Sequence, residues 1–286
     1  MSEENSQQFA RVPDISVVIP TYRRPHQLAE ALNSVFATTT LDIEVIVVDD
    51  CPDGSARDVV QRMNSDAVRY LRNPHPTGGN PSVVRNLGWP LAKGRFVHFL
   101  DDDDIVPEGH YARAVQALTQ NPNVGVVFGR VAPFGDVDLK HETEYFDTAY
   151  RRARLLSYFG NRIAYSAWLT FSNAFIACSS AMVRRSCLAP LKGFDENVRL
   201  VEDVDFLSRA IRRYGAIRLD EVSIHYRIGP SLMHNNDDKA EALKHAYGVM
   251  HRRYRQEWGQ VNFLSMKAAA VALRTFARPV IGRQAA

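Results

Sequence analysis

Short apolar runs alternating with helix-spaced apolar positions constrain this chain more than any other feature. Ile15-Ser16-Val17-Val18-Ile19-Pro20 is a β-branched run ended by proline, and it reads as a buried strand. Leu28, Ala31, Leu32, Val35 and Phe36 follow at helical spacing. Residues 43–48 give a second strand, Val59, Val60 and Met63 a helix, and residues 68–71 a third strand. A Thr77-Gly78-Gly79-Asn80 loop leads to a helix over 82–91, then a strand over 95–100. A helix over 110–118 and a strand over 124–128 complete the series. Strand–helix alternation of this kind predicts an α/β fold, with a mostly parallel, Rossmann-like central sheet and helices on both faces.

In such sheets ligands sit outside the carboxyl ends of the strands. Three polar clusters fall at those ends: Thr21-Tyr22-Arg23, Asp49-Asp50, and the run Asp101-Asp102-Asp103-Asp104. Four carboxylates at one strand end repel one another, and a divalent cation carrying a phosphorylated substrate would offset that charge. The alternative is a solvated acidic turn that caps the next helix. Convergence of the three clusters on one crevice favours the metal–phosphate reading.

After about residue 130 the alternation ends. Residues 140–177 mix basic and aromatic side chains, among them Tyr145, Phe146, Tyr150, Arg152, Tyr158, Phe159 and Trp168. They read either as helices packed on the sheet or as a wall on which sugar rings stack. Residues 179–183 form another expected strand, Gly193-Phe194-Asp195 a turn, and Glu202-Asp203 the start of an amphipathic helix capped by Gly215. Residues 216–227 complete the sheet. Expected units are a flexible tail over 1–13, an α/β half over 14–130, a second half over 131–228, and a helical extension over 229–286.

That extension is basic, with nine Lys or Arg against two Glu from residue 239 onward. Lys267, Arg274 and Arg278 share one stripe of the last helix, and Ala269, Ala272, Leu273 and Phe276 the other side. Such a helix can rest on an anionic membrane. The alternative is a helix docked on its own domain or on a second subunit. A net charge of +3 is too small to make nucleic acid the main partner. Cys51, Cys178 and Cys187 lack metal-ligand spacing and cannot all pair, which points to a reducing compartment. No signal-peptide pattern opens the chain, and no apolar run reaches the ~20 residues needed to span a bilayer. A cytoplasmic protein is expected, with peripheral contact at the inner face of the membrane as an option.

Taken together, the segments Val17-Val18-Ile19-Pro20-Thr21-Tyr22-Arg23-Arg24, Val45-Ile46-Val47-Val48-Asp49-Asp50, Arg85-Asn86-Leu87-Gly88, Phe99-Leu100-Asp101-Asp102-Asp103-Asp104 and Gly193-Phe194-Asp195 through Glu202-Asp203 resemble family 2 glycosyltransferases of the GT-A fold. The resemblance covers about residues 14–228, and it implies that 14–130 is the nucleotide-sugar-binding half and 131–228 the acceptor-binding half with the catalytic base. It implies inverting transfer of a sugar from a nucleotide-sugar donor, of UDP or dTDP type, to an acceptor hydroxyl, assisted by Mn²⁺ or Mg²⁺. The acceptor would be a carbohydrate, a lipid-linked sugar or a small molecule.

Carried over, Pro20, Thr21, Tyr22 and Arg23 would border the nucleobase, and Asp50 would accept a hydrogen bond from it. Arg85 would meet base or phosphate. Asp101 would support the acidic motif, Asp102 would lie near the ribose, and Asp103 would ligate the metal. Asp203 would be the catalytic base, against the simpler reading of Glu202-Asp203 as a helix cap. Two departures stand out. The acidic loop, Asp49-Asp50-Cys51-Pro52-Asp53-Gly54-Ser55, is longer than the family's. Tyr226-Arg227 is not followed by a His at the family's spacing, leaving His234 as the nearest later ligand candidate. A sugar nucleotidyltransferase is the competing enzyme, disfavoured because Thr21-Tyr22-Arg23-Arg24-Pro25 replaces a Gly-rich loop. A non-catalytic nucleotide- or carbohydrate-binding protein is the competing non-enzyme.

Overall fold

The computed structural model describes residues 12–37, 40–160, 162–172, 174–229 and 239–281. In chain order the elements are β1 (Ile15–Thr21), α1 (Pro25–Phe36), β2 (Ile43–Asp49), α2 (Arg57–Met63), β3 (Val68–Arg72), α3 (Pro81–Gly88), β4 (Phe96–Phe99) and α4 (His110–Gln120). They continue with β5 (Val126–Phe134), α5 (Lys140–Ser157), α6 (Ile163–Phe171), β6 (Ala181–Arg184), α7 (Leu188–Leu191), α8 (Glu202–Tyr214), β7 (Ala216–Arg227), α9 (Lys239–Trp258) and α10 (Gln260–Ile281).

The seven strands form one sheet in the order β3-β2-β1-β4-β6-β5-β7. All neighbours run parallel except β6, which is antiparallel to both β4 and β5. β5 runs through the expected division between residues 130 and 131, and β6 sits between β4 and β5, so both halves share one sheet. Successive side chains of a strand point to opposite faces, and both faces are covered. On β1, Ile15, Val17 and Ile19 join a core with Leu28, Leu32 and Val35 of α1, while Val18 joins the core on the other face with Phe206 and Ile211 of α8. Apolar positions on both faces explain why these strands read as continuous apolar runs.

Local chemistry sets the element ends that matter for the site. Pro25 opens α1, where its missing N–H costs nothing. Asn80 caps α3, accepting from the Ser82 N–H at 3.2 Å. Gly88 ends α3 directly over the sheet: a Cβ there would lie 2.5 Å from Val18 Cγ1, so only glycine permits this approach. The strand expected over 179–183 begins later, because Cys178–Ser180 is a 3-10 turn. The turn frees Ser179 to accept from the Asp101 N–H at 3.1 Å and to bond His98 Nε2 through its carbonyl at 2.8 Å.

The C-terminal helices pack on the domain. Phe263, Met266 and Ala270 of α10 form a core with Ala167 of α6 and Tyr254 of α9, and Ala277 joins the main core. The docked stripe of α10 is therefore not the one expected: Leu273 packs inward, but Phe276 is 59% exposed. Helical periodicity alone permitted either stripe, since α10 is apolar on more than one side. No described helix is long and apolar enough to cross a membrane.

Candidate active site

β1 and β4 are adjacent, while the chain leaves them toward opposite edges of the sheet. That is where a parallel sheet opens a crevice at its carboxyl end. The acidic run turns there, with the Asp104 N–H donating to the Asp101 carbonyl at 3.2 Å. The four aspartates have different surroundings. Asp101 is partly exposed and pairs with Arg85 at 2.6 Å. Asp102 is buried, accepting from the Tyr22 N–H at 3.3 Å and from Arg24 Nη1 at 3.1 Å. Asp103, partly exposed, lies 2.8 Å from the same Arg24 nitrogen. Asp104 closes this turn. It is buried and accepts from the Arg227 N–H at 3.0 Å.

Burial raises Asp102 to about 6, although Arg24 pulls it down. Burial likewise raises Asp103, against Arg24, with Asp101 adding to the rise. Several carboxylates thus crowd one turn, with one guanidinium, Arg24, bridging two of them. An oxygen-only donor set of this kind fits a hard divalent cation. Among the described residues no three His, Cys, Asp or Glu side chains converge as a ligand set. A cation that takes one or two carboxylates and fills its shell from phosphates and water fits that arrangement. His234 lies outside the described residues.

Around this turn the other expected residues take distinct places. Pro20 and Thr21 end β1, and Tyr22 follows, tied to Asp102. Arg23 has φ +57°, in the left-handed region uncommon for a non-glycine residue. Its N–H donates to Cys51 Sγ, joining the β1 and β2 ends, and its guanidinium lies 5.2 Å from the Tyr22 ring centre. Asp50 is fully buried and accepts from Asn73 Nδ2, the Thr77 N–H and hydroxyl, and the Gly79 N–H. Its carboxylate organises the 73–79 loop, and contact with a base through Asp50 would require that loop to release it. Arg85 is buried and bridges Asp101 Oδ1 at 2.6 Å to Glu202 Oε1 at 2.9 Å.

Asp203 occupies the first turn of α8 beside Glu202. Burial, then the neighbouring Glu202, raises its carboxyl to about 7, while Arg85 opposes the rise. The side chain nonetheless keeps partial exposure, so the carboxylate is seated deep in the fold but open at one side. Tyr145 of α5, Tyr226 of β7 and Tyr247 of α9 all feel its charge. Phe146 meets Tyr145 edge-on and Tyr226 at a tilt, with ring centres 5.3 and 5.5 Å away. Aromatic side chains from three elements thus flank Asp203. Sequence reasoning included Tyr145 and Phe146 but not Tyr247, and gave no role to Arg24 or to Glu202 as the partner of Arg85. The Glu202-Asp203 doublet was the available signal for the last.

The chain belongs to glycosyl transferase family 2, whose model matches residues 16–191. A GalNAc(5)-diNAcBac-PP-undecaprenol beta-1,3-glucosyltransferase of Campylobacter jejuni is 36% identical over 122 residues, 41% of this chain and 38% of that protein. S. aureus TarS 1-349 in complex with UDP-GlcNAc superposes with a TM-score of 0.67 at 17% identity, covering 93% of this chain and 74% of TarS. The mannosyltransferase PcManGT of Pyrobaculum calidifontis, in complex with GDP-Man and Mn²⁺, superposes with a TM-score of 0.55 at 20% identity, covering 94% and 76%. These likenesses identify the fold as GT-A. The chain spans less than two fifths of the length of several curated relatives it matches.

Proposed function

We propose that this chain transfers a sugar from a nucleoside-diphosphate sugar to an acceptor hydroxyl, with inversion at the anomeric carbon. The observation that carries the proposal is Asp203, a partly open carboxylate raised to about 7, joined to the aspartate turn through the Arg85–Glu202 and Arg85–Asp101 pairs. An acid held near neutrality is suited to general-base work. Asp203 takes the acceptor's hydroxyl proton as that oxygen attacks the anomeric carbon. The carbon–oxygen bond to the diphosphate breaks on the opposite face, and its electron pair leaves with the nucleoside diphosphate. A single displacement of this kind inverts the centre.

Asp103 would hold the divalent cation, Mn²⁺ or Mg²⁺, with Asp101 and Asp102 around it. When bound, that cation neutralises charge on the departing diphosphate. Pro20, Thr21, Tyr22 and Arg23 border the base, with Asp50 setting the loop beside it, and the ribose falls near Asp102. UDP or dTDP is the favoured donor class. Tyr145, Phe146, Tyr226 and Tyr247 form the acceptor wall, where ring faces suit sugar rings. A lipid-linked saccharide is the favoured acceptor, supported by the undecaprenol-linked substrate in the name of the C. jejuni relative.

The test is Asp203→Asn, assayed for transfer and, by calorimetry with Mn²⁺, for UDP-sugar binding. Transfer should fall by about 10²-fold or more, in the range general-base catalysis supplies, with donor affinity within a few-fold of wild type. Near-normal turnover would remove Asp203 as the base. Failure of any UDP- or dTDP-sugar to bind would remove the donor assignment.

A further inference from the structure

Ten large hydrophobic side chains are notably exposed among the described residues, and seven of them form two adjoining groups. Val261, Leu264, Val271 and Phe276 lie on α10, with exposures of 47–80%. Tyr158, Phe159 and Ile163 lie in the turn from α5 to α6. Phe159 and Phe276 join the two groups, with ring centres 5.1 Å apart. On α10 the spacing of Val261, Leu264 and Val271 makes a second apolar stripe, opposite the one that buries Phe263, Met266 and Ala270. Exposed apolar side chains gathered on one helix face and the turn beside it mark an interaction site.

Within the two segments that carry the patch the charges have one sign, and the nearest carboxylate in sequence, Glu257 of α9, lies four residues before Val261. Lys267 and Arg162 are exposed next to the patch, and Arg274 lies on the Lys267 side of α10. Residues 148–194 contain no Asp or Glu, and neither do residues 258–286. A two-fold contact with a second copy would set these cations against their own counterparts with no carboxylate from either segment between them. An anionic lipid surface offers both partners required: acyl chains for Val261, Leu264 and Val271, and phosphates for the cations. Aromatic side chains such as Tyr158 and Phe159 favour the boundary between them.

We propose that α10 and the α5–α6 turn together dock this protein on anionic phospholipid membrane. The patch does not depend on the glycosyl-transfer reading, but it agrees with it in geometry. α5 carries Tyr145 beside Asp203 and ends at Tyr158, so the lipid-facing turn stands about 20 Å along one helix from the base, at 1.5 Å per residue.

Flotation of the full chain with vesicles of phosphatidylcholine containing one third phosphatidylglycerol tests the proposal. Wild type should float with these vesicles, not with phosphatidylcholine alone, and should be released by high salt. Two double variants, Leu264→Glu/Phe276→Glu and Arg162→Glu/Lys267→Glu, should each lower the bound fraction at least several-fold at an unchanged thermal midpoint. Absence of wild-type flotation overturns the proposal whatever the variants do, as does flotation of both variants at the wild-type level. A concentration-dependent dimer that Leu264→Glu/Phe276→Glu abolishes, without vesicle binding, gives the patch to a second copy and also overturns it. Calorimetry with UDP-sugars on the same samples reads the donor site separately, so failure of one reading leaves the other intact.

Discussion

Arg24 holds the aspartate turn together by a single nitrogen, 3.1 Å from Asp102 and 2.8 Å from Asp103. Its guanidinium offsets part of the charge of these two carboxylates, while the backbone N–H groups of Tyr22 and Arg227 bond Asp102 and Asp104. Asp203, by contrast, is raised by burial and by Glu202, and it accepts a proton only when ionised. The sign follows: below about 7 the Asp203 carboxyl is protonated, and above it the carboxylate is free to act as the proposed base. The pH profile of kcat/KM should therefore rise by about tenfold per unit below neutrality and level off above it. A limb centred near pH 4 would place the controlling ionisation on an ordinary exposed carboxylate instead.

Among the elements, α3, β4 and α8 meet through one side chain. Arg85 on α3 binds Asp101 after β4 and Glu202 at the start of α8, and its guanidinium lies 5.2 Å from the Phe194 ring centre. Replacing it strands Glu202, which is buried, and Asp101, which is only partly so. Arg85→Met should cost roughly 3 kcal/mol, toward the lower end for breaking a buried pair. It should also lower turnover, because α8 carries Asp203. A urea midpoint within error of wild type would show that the bridge does not hold these elements. The sequence offered Arg85 as a contact to base or phosphate, and its pairs with Asp101 and Glu202 could not be read there, because they bring together residues 16 and 117 positions away. The strands themselves were legible because burial on both faces leaves long apolar runs. Direction is another matter: Ala181-Met182-Val183-Arg184 gives no sign that β6 runs antiparallel between β4 and β5. Asp50 was legible as an acid at a strand end, whereas its saturation by Thr77 and Gly79 depends on a loop folding back. Tyr247 lies on a helix of ordinary pattern, and only the packing of α9 brings it near Asp203.

At the scale of the whole molecule, the C-terminal extension has two faces with different work. One face of α10 completes the core: Phe263, Met266 and Ala270 are buried with Ala167 and Tyr254. The other presents the apolar stripe of Val261, Leu264 and Val271. Removing residues 260–286 would therefore change two things at once. It would expose apolar surface on α6 and α9 as well as remove the stripe. At about 1.5–3 kcal/mol per large buried apolar side chain, loss of Phe263 and Met266 alone should lower unfolding free energy by at least about 3 kcal/mol. Denaturant unfolding of the truncated chain should show that loss, together with new binding of a hydrophobic dye. An unchanged midpoint would mean that α10 is not part of the folded core. Because the truncation is expected to expose core, loss of vesicle binding in it would not identify the lipid-facing side chains. Substitution of Leu264 and Phe276, which are exposed, separates the two faces: the core stripe stays in place and only the outer surface changes.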